Sequence, residues 1–257
     1  MSNIWAIAYK DLRAYFVSPI AYVVLAGFLL LSGWFFWIYL AQFSQMVTLY
    51  SSVQRPDLLE QFNLNDMVMA PLLQNMVIIF LILLPLVTMR LFAEERSNKT
   101  DELLLTSPIS TLEITFGKFL GAGLFYALML VLTGLYPAIL LYYGDPEVGP
   151  ILTGYLGLLL VGLSFVALGL FTSTLTDNQI VAAVSAFVAL LLFFAIGWPA
   201  NTVGATTGAV LRYLSLTEHF QSMVKGLLEG PDLIYYLSLI AFALFLTQRS
   251  LESLRWR

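Results

Sequence analysis

The chain has 257 residues, 60% of them hydrophobic and 11% charged, with a formal net charge of −4 and a mean hydropathy of +0.86. An average soluble domain is about 45–50% apolar and about 25% charged, so a soluble globular domain and a disordered chain are excluded. The acidic balance gives no basic footprint for a nucleic acid. No cysteine and a single histidine remove disulfide frameworks, thiolate metal sites and multi-histidine metal sites. What remains is an all-α polytopic membrane protein.

Residues 3–17 carry Ile4, Trp5, Ala8, Leu12, Tyr15 and Phe16 at helical spacing, with Lys10, Asp11 and Arg13 mostly off that stripe. This pattern predicts an amphipathic helix lying in the membrane interface, ended by the break that Pro19 imposes. A membrane-spanning helix needs roughly 20 mostly apolar residues. Charge-free windows lie between Arg13 and Arg55, Asp66 and Arg90, Lys118 and Asp145, Glu147 and Asp177, Asp177 and Arg212, and Asp232 and Arg249. They predict six spans, near 20–40, 70–91, 119–142, 152–173, 179–198 and 232–249, in one domain covering 1–257. Trp34, Trp37 and Tyr39 fall at the outer end of the first span, as interfacial aromatics do. A turn rich in Gly and Pro at 143–150 separates the third and fourth spans. Asp177 is a candidate N-cap for the fifth. The loop 199–231 predicts two short helices, 209–216 and 217–228, the second capped by Thr217. His219 reads there as a satisfied surface or interfacial histidine, without local partners for catalysis or metal binding.

Orientation follows from the positive-inside rule. One side collects Lys10, Arg13, Arg90, Arg96, Lys99, Lys118, Arg249, Arg255 and Arg257, and the other only Arg55, Arg212 and Lys225. Both termini are therefore expected in the cytoplasm of a cell whose inner membrane holds the chain.

The cytoplasmic stretch 90–118 is charge-dense in a chain otherwise poor in charge. Thr100, followed by Asp101 and Glu102, reads as an N-cap with an acidic first turn. A short helix through Leu103, Leu104 and Leu105 would stop before Pro108. Ser110 and Glu113 fit a capping box that opens the third span. The leucine face of the short helix would be buried on the bilayer surface and neighbouring helix ends, or on a cytoplasmic partner.

Catalysis and autonomous energy use lack their residues. Gly117 and Lys118 are the nearest approach to a phosphate-binding loop, but Phe119 follows them and Leu112 stands where the first Gly belongs. Between their bounding charges the spans hold no ionisable group other than tyrosine, so an ion-coupled carrier lacks its relay and an intramembrane serine enzyme its base. No metal site and no cofactor are expected. Gly117 and Gly121 form a G-x-x-x-G pair that lets helix backbones approach. Pro85 and Pro137 predict local breaks in the second and third spans.

Met89-Arg90-Leu91-Phe92-Ala93-Glu94-Glu95-Arg96, Thr100-Asp101-Glu102-Leu103-Leu104-Leu105-Thr106-Ser107-Pro108-Ile109-Ser110 and Gly117-Lys118 together resemble the signature region of ABC-2 type transporter permeases. Ser97-Asn98-Lys99 departs from it, standing where the family often has a basic residue and Gly. The start, from Tyr9 to Ile20, is similar to the family's elbow helix, here with Trp5, Lys10 and Arg13. The likeness is greatest to the gliding-motility-type (GldF-like) permeases, with the NosY-like permeases of copper-site maturation nearby. The resemblance implies a six-helix permease subunit that pairs with a second permease copy or homologue and with a separate cytoplasmic ABC ATPase. ATP would be bound by that ATPase. A coupling helix at 100–107 would dock it, with Glu94, Glu95, Arg96, Thr100, Glu102, Leu103, Leu104, Thr106 and Pro108 as the coupling residues. Membrane lipid and an additional membrane or outer-face partner complete the expected partners, and nucleic acid is not among them. The uncharged spans favour a lipid-like or amphipathic cargo over an inorganic ion. Motion passed to an outer-face partner with nothing crossing is a second outcome. A standalone channel or secondary carrier is the alternative of another class.

Overall fold

The computed structural model describes residues 2–52, 63–100 and 108–255, and every regular element among them is helical. Helix α1 (Ser2–Val17) meets α2 (Pro19–Ser52) at Ser18, the break expected from Pro19. A π-helical turn, Asn65–Met69, leads into α3 (Ala70–Thr88), and α4 (Arg90–Ser97) continues it after a kink at Met89. Then come α5 (Thr111–Thr133), α6 (Leu135–Tyr143), α7 (Val148–Ser173) and α8 (Gln179–Ala195). A 3₁₀ turn, Trp198–Asn201, precedes the short helices α9 (Ala205–Leu214) and α10 (Leu216–Val224), and α11 (Gly230–Arg255) follows them.

Among the described residues six helical stretches are long and apolar enough to cross a membrane, two of them built from consecutive α-helices. The protein is thus an all-α, multi-pass membrane protein, with α1 beside the bundle at the membrane interface. The stretches formed by α3–α4 and by α7 are each 67% buried, against 22% for α2 and 28% for α8. The former make the centre of the bundle, and the latter turn apolar faces outward. Close approach at the centre depends on missing side chains. A Cβ on Gly162 of α7 would lie 2.0 Å from Cζ of Tyr126, whose hydroxyl donates to the Leu158 carbonyl. A Cβ on Gly169 would meet Thr88 Oγ1 at 2.1 Å.

Both prolines sit beside breaks whose loose polar groups are satisfied from α7. Pro137 has no N–H for the Thr133 carbonyl four residues back, and the Tyr155 hydroxyl donates to that carbonyl at 2.9 Å. At the kink after Pro85, Ser173 Oγ donates to the Met89 carbonyl at 3.1 Å. The same oxygen accepts from the backbone N–H groups of Phe92 and Ala93 at 2.9 and 3.0 Å, donors that a new helix start leaves unpaired.

Several boundaries differ from expectation. Helix α2 runs twelve residues past 40, to Ser52, so Trp34 and Trp37 lie mid-helix and exposed. The polar run Gln42, Ser44 and Gln45 reads as loop but continues the helix. Asn178, not Asp177, caps α8, accepting from the N–H groups of Ile180 and Val181. The two short helices of 199–231 exist but start and end earlier, and Ser215 rather than Thr217 holds the N-cap position of the second. In α1 the buried side is Ile7, Ala8, Asp11 and Tyr15, while Trp5 is 62% exposed. The expected helix at 100–107, with Glu102, Leu103, Leu104 and Thr106, lies outside the described residues apart from Thr100.

Candidate functional site

The end of the bundle that carries α1, α4 and the start of α5 holds the densest charge. Its geometry begins with the two glycines of the G-x-x-x-G pair. A Cβ on Gly117 would lie 2.7 Å from Cβ of Ile7, and one on Gly121 would lie 3.1 Å from the Ala8 carbonyl oxygen. The glycine stripe on α5 is therefore the seat of α1. Gly117→Val is expected to lift α1 off that seat. It should lower the unfolding temperature in detergent by several degrees, the scale of overpacking at about 1–3 kcal/mol.

That seat brings Asp11 and Lys118 together. Lys118 is 2% exposed, which corrects its reading as a loop charge. Its ammonium donates to the Leu91 carbonyl at 2.6 Å, lies 2.9 Å from Glu95 Oε2 and 3.5 Å from Asp11 Oδ2, and stands 4.9 Å over the Phe92 ring. Lys10, on the outside, donates to Glu95 Oε1 at 2.9 Å and lies 3.9 Å from Asp11 Oδ1. Two lysines and two carboxylates alternate, so burial is compensated by pairing. Burial pushes the Asp11 carboxyl above its ordinary range, against the opposing pull of Lys118 and Lys10. A cavity of about 360 Å³ opens beside this cluster, lined by Lys10, Asp11, Arg90, Glu94, Asn98 and Thr100 among others.

Arg90, Glu94 and Arg96 have partners nearby. Arg90 grips Glu94 with Nε at 2.6 Å and Nη2 at 3.1 Å, and donates through Nη1 to Ser18 Oγ at 2.8 Å. Arg96 donates to the Thr174 carbonyl at 2.8 Å and pairs with Asp177 at 2.7 Å. Arg13 is exposed and Pro108 lies just before the capping box.

Both flanks of the segment 101–107 are anchored. Helix α4 ends with Lys99 at φ 56°, a left-handed position that commonly closes helices. The Thr100 N–H donates back to the Glu95 carbonyl at 2.9 Å. On the other flank the capping box forms as expected: Ser110 Oγ accepts from the Glu113 N–H at 3.2 Å, and Glu113 Oε2 accepts from the Ser110 N–H at 3.0 Å. Asn3 of α1 donates to Glu113 Oε1 at 3.2 Å. Each flank thus reaches α1, one through Glu95 and Lys10, the other through Glu113 and Asn3.

A second polar cluster sits at the opposite end. His219 Nδ1 is 2.6 Å from Asp232 Oδ1, and Nε2 is 2.9 Å from the Tyr213 carbonyl oxygen. The Ser222 hydroxyl donates to the other oxygen of Asp232. The ring stacks on Tyr235 at 4.2 Å. A carbonyl accepts only, so Nε2 carries a proton, and a second lies on the line between Nδ1 and Oδ1. His219 is satisfied, but buried, and its partner is thirteen residues away across the turn at Gly226, φ 87°. No sequence spacing rule joins the two. Among the described residues no group of three or more His, Cys, Asp or Glu could hold a metal ion.

Compared with known proteins, residues 51–248 match the family model described as ABC-2 family transporter protein. No curated protein matches the chain.

Proposed function

This chain belongs to the ABC-2 transporter family, and we propose that it is the permease subunit through which a separate cytoplasmic ABC ATPase drives export or moves an outer-face partner. Members of this family are typically non-catalytic membrane subunits, and ATP hydrolysis is assigned here to the partner. The observation that carries the reading is the double anchoring of 101–107. A push on that segment reaches α1 through Glu95 on one side and Glu113 on the other, and reaches α5 directly through Lys118.

In this reading 100–107 forms the coupling helix, with Leu103 and Leu104 filling an apolar groove of the ATPase, and Thr100, Glu102, Thr106 and Pro108 framing it. Glu94, Glu95 and Arg96 act one step behind, bracing the segment against Ser18 by way of Arg90, against α1 and α5, and against the α7–α8 loop. The whole of 1–257 works as one transmembrane domain in the inner membrane, both termini cytoplasmic, beside a second permease copy or homologue. The subgroup proposed is the gliding-motility type.

The test is affinity purification of the tagged chain in mild detergent with mass spectrometry of what accompanies it. A stoichiometric ABC ATPase is expected, and Leu103→Asp should release most of it. A buried anchor of this kind is worth about 2 kcal/mol or more, roughly a thirtyfold loss of affinity. Recovery of the chain alone, under conditions that keep a control transporter assembled, would move the reading to a standalone channel or secondary carrier. An ATPase retained at full occupancy by Leu103→Asp would overturn the docking assignment.

A further inference from the structure

A cavity of about 470 Å³ lies at the end of the bundle opposite α1, between the first half of α3, the end of α8 and helix α10. Its wall includes Gln74 and Ile78 of α3, Phe194 and Trp198, and Glu218 and Gln221 of α10. Gly197 makes the wall possible. A Cβ there would lie 2.7 Å from Ser215 Oγ, so only glycine lets the 3₁₀ turn sit this close to the start of α10. The turn then presents Trp198 with its ring edge-on to Phe194, centroids 6.1 Å apart.

The polar side chains of this wall are exposed. The side chains of Gln74, Glu218 and Gln221 have no hydrogen-bond or ion-pair partner among the described residues. Its neighbour Asn75, by contrast, donates to the Tyr39 hydroxyl. Gln74, in the first turns of α3, is exposed to this space. The single charge on the wall is the Glu218 carboxylate. Arg212 reaches the rim through Asn201, 2.5 Å from its Oδ1, but does not line the cavity.

An unpaired carboxylate, two amides and aromatic faces complement one kind of head. An ammonium group satisfies the carboxylate, and aromatic rings attract it through their faces. An anion would meet the Glu218 carboxylate inside the cavity, with Arg212 only at the rim and already bonded to Asn201. Ile78, 46% exposed, continues the wall as an apolar surface along α3. We propose that this cavity binds the ammonium head of a cationic amphiphile, with its tail laid against α3. The inference deepens the permease reading by naming a cargo class, and it depends on that reading only for the step from binding to transport.

The experiment is native mass spectrometry of the full chain in a neutral nonionic detergent, titrated with dodecyltrimethylammonium, dodecyl sulfate or a dodecyl maltoside as probes of equal tail length. The ammonium probe is expected to bind one per chain, roughly tenfold more tightly than the others. Glu218→Gln and Trp198→Ala should each remove most of that preference, while Gln74→Leu weakens binding roughly threefold. Equal affinity for the three heads, or a preference untouched by Glu218→Gln and Trp198→Ala, overturns the assignment. Because the chain is titrated without its ATPase, failure here leaves the pull-down result standing, and a failed pull-down leaves this binding result standing.

Discussion

Lys118→Met should destabilise the folded protein by about 3–5 kcal/mol, the cost of removing one partner from a buried ion pair. Lys118 is 2% exposed, and its ammonium serves Glu95, Asp11 and the Leu91 carbonyl at once. Without it two carboxylates from different helices face each other beneath α1, with only Lys10 to serve both. Methionine keeps most of the side-chain volume, so the loss reports charge rather than cavity. Thermal unfolding in detergent measures it. The double variant Lys118→Met, Asp11→Asn leaves the pair of Lys10 and Glu95 intact and should recover more than half of the loss. A drop under about 1 kcal/mol for the single variant would place the cluster with ordinary surface pairs.

The second large effect belongs to the other end. His219→Ala should cost about 3–5 kcal/mol, because Asp232, 5% exposed, keeps only Ser222 and the Tyr213 carbonyl loses its donor. Ring stacking on Tyr235 is lost as well. Asp232→Ala should cost a similar amount. The double variant should cost less than the sum by more than about 1 kcal/mol, as residues in contact do. Strict additivity in the cycle would mean that the two side chains do not share their protons as the geometry requires.

Much of this architecture is legible in the chain because a bilayer imposes one rule on every span, the exclusion of charge over roughly 20 residues. The window from Asp66 to Arg90 accordingly falls inside one composite span, and the window from Lys118 to Asp145 is covered by the other as far as Tyr143. The Ser110 cap and the break before Pro19 are legible for a different reason, since both are local and stereochemical. What the chain hides is pairing at a distance. Lys118 bounds a charge-free window and so reads as the edge of a loop. It is folded into the protein by Asp11, 107 residues earlier. Asp11 looks like the polar side of an amphipathic helix, and it is instead on the buried side, because the helix rests on α5 rather than on lipid alone. Trp5 is exposed on the protein's own surface, where an apolar residue of an interfacial helix can meet the bilayer. The candidate site is thus half readable. Its charged residues stand out by composition, whereas their assignment to one another depends on how α1 is seated.

The seat of α1 on α5 also dictates an order of assembly. Its contacts, Ile7 to Gly117 and Asp11 to Lys118, join α1 to a helix that follows it by two apolar stretches. At about 5–20 residues per second, the 107 residues between Asp11 and Lys118 take roughly 5–20 s to synthesise. Throughout that interval the amphipathic helix lacks its seat on α5, while its contacts to Val87 through Tyr15 and to Glu95 through Lys10 can form earlier. Lys118 then arrives as a cation at the head of an apolar span, and the waiting carboxylate of Asp11 neutralises it on arrival.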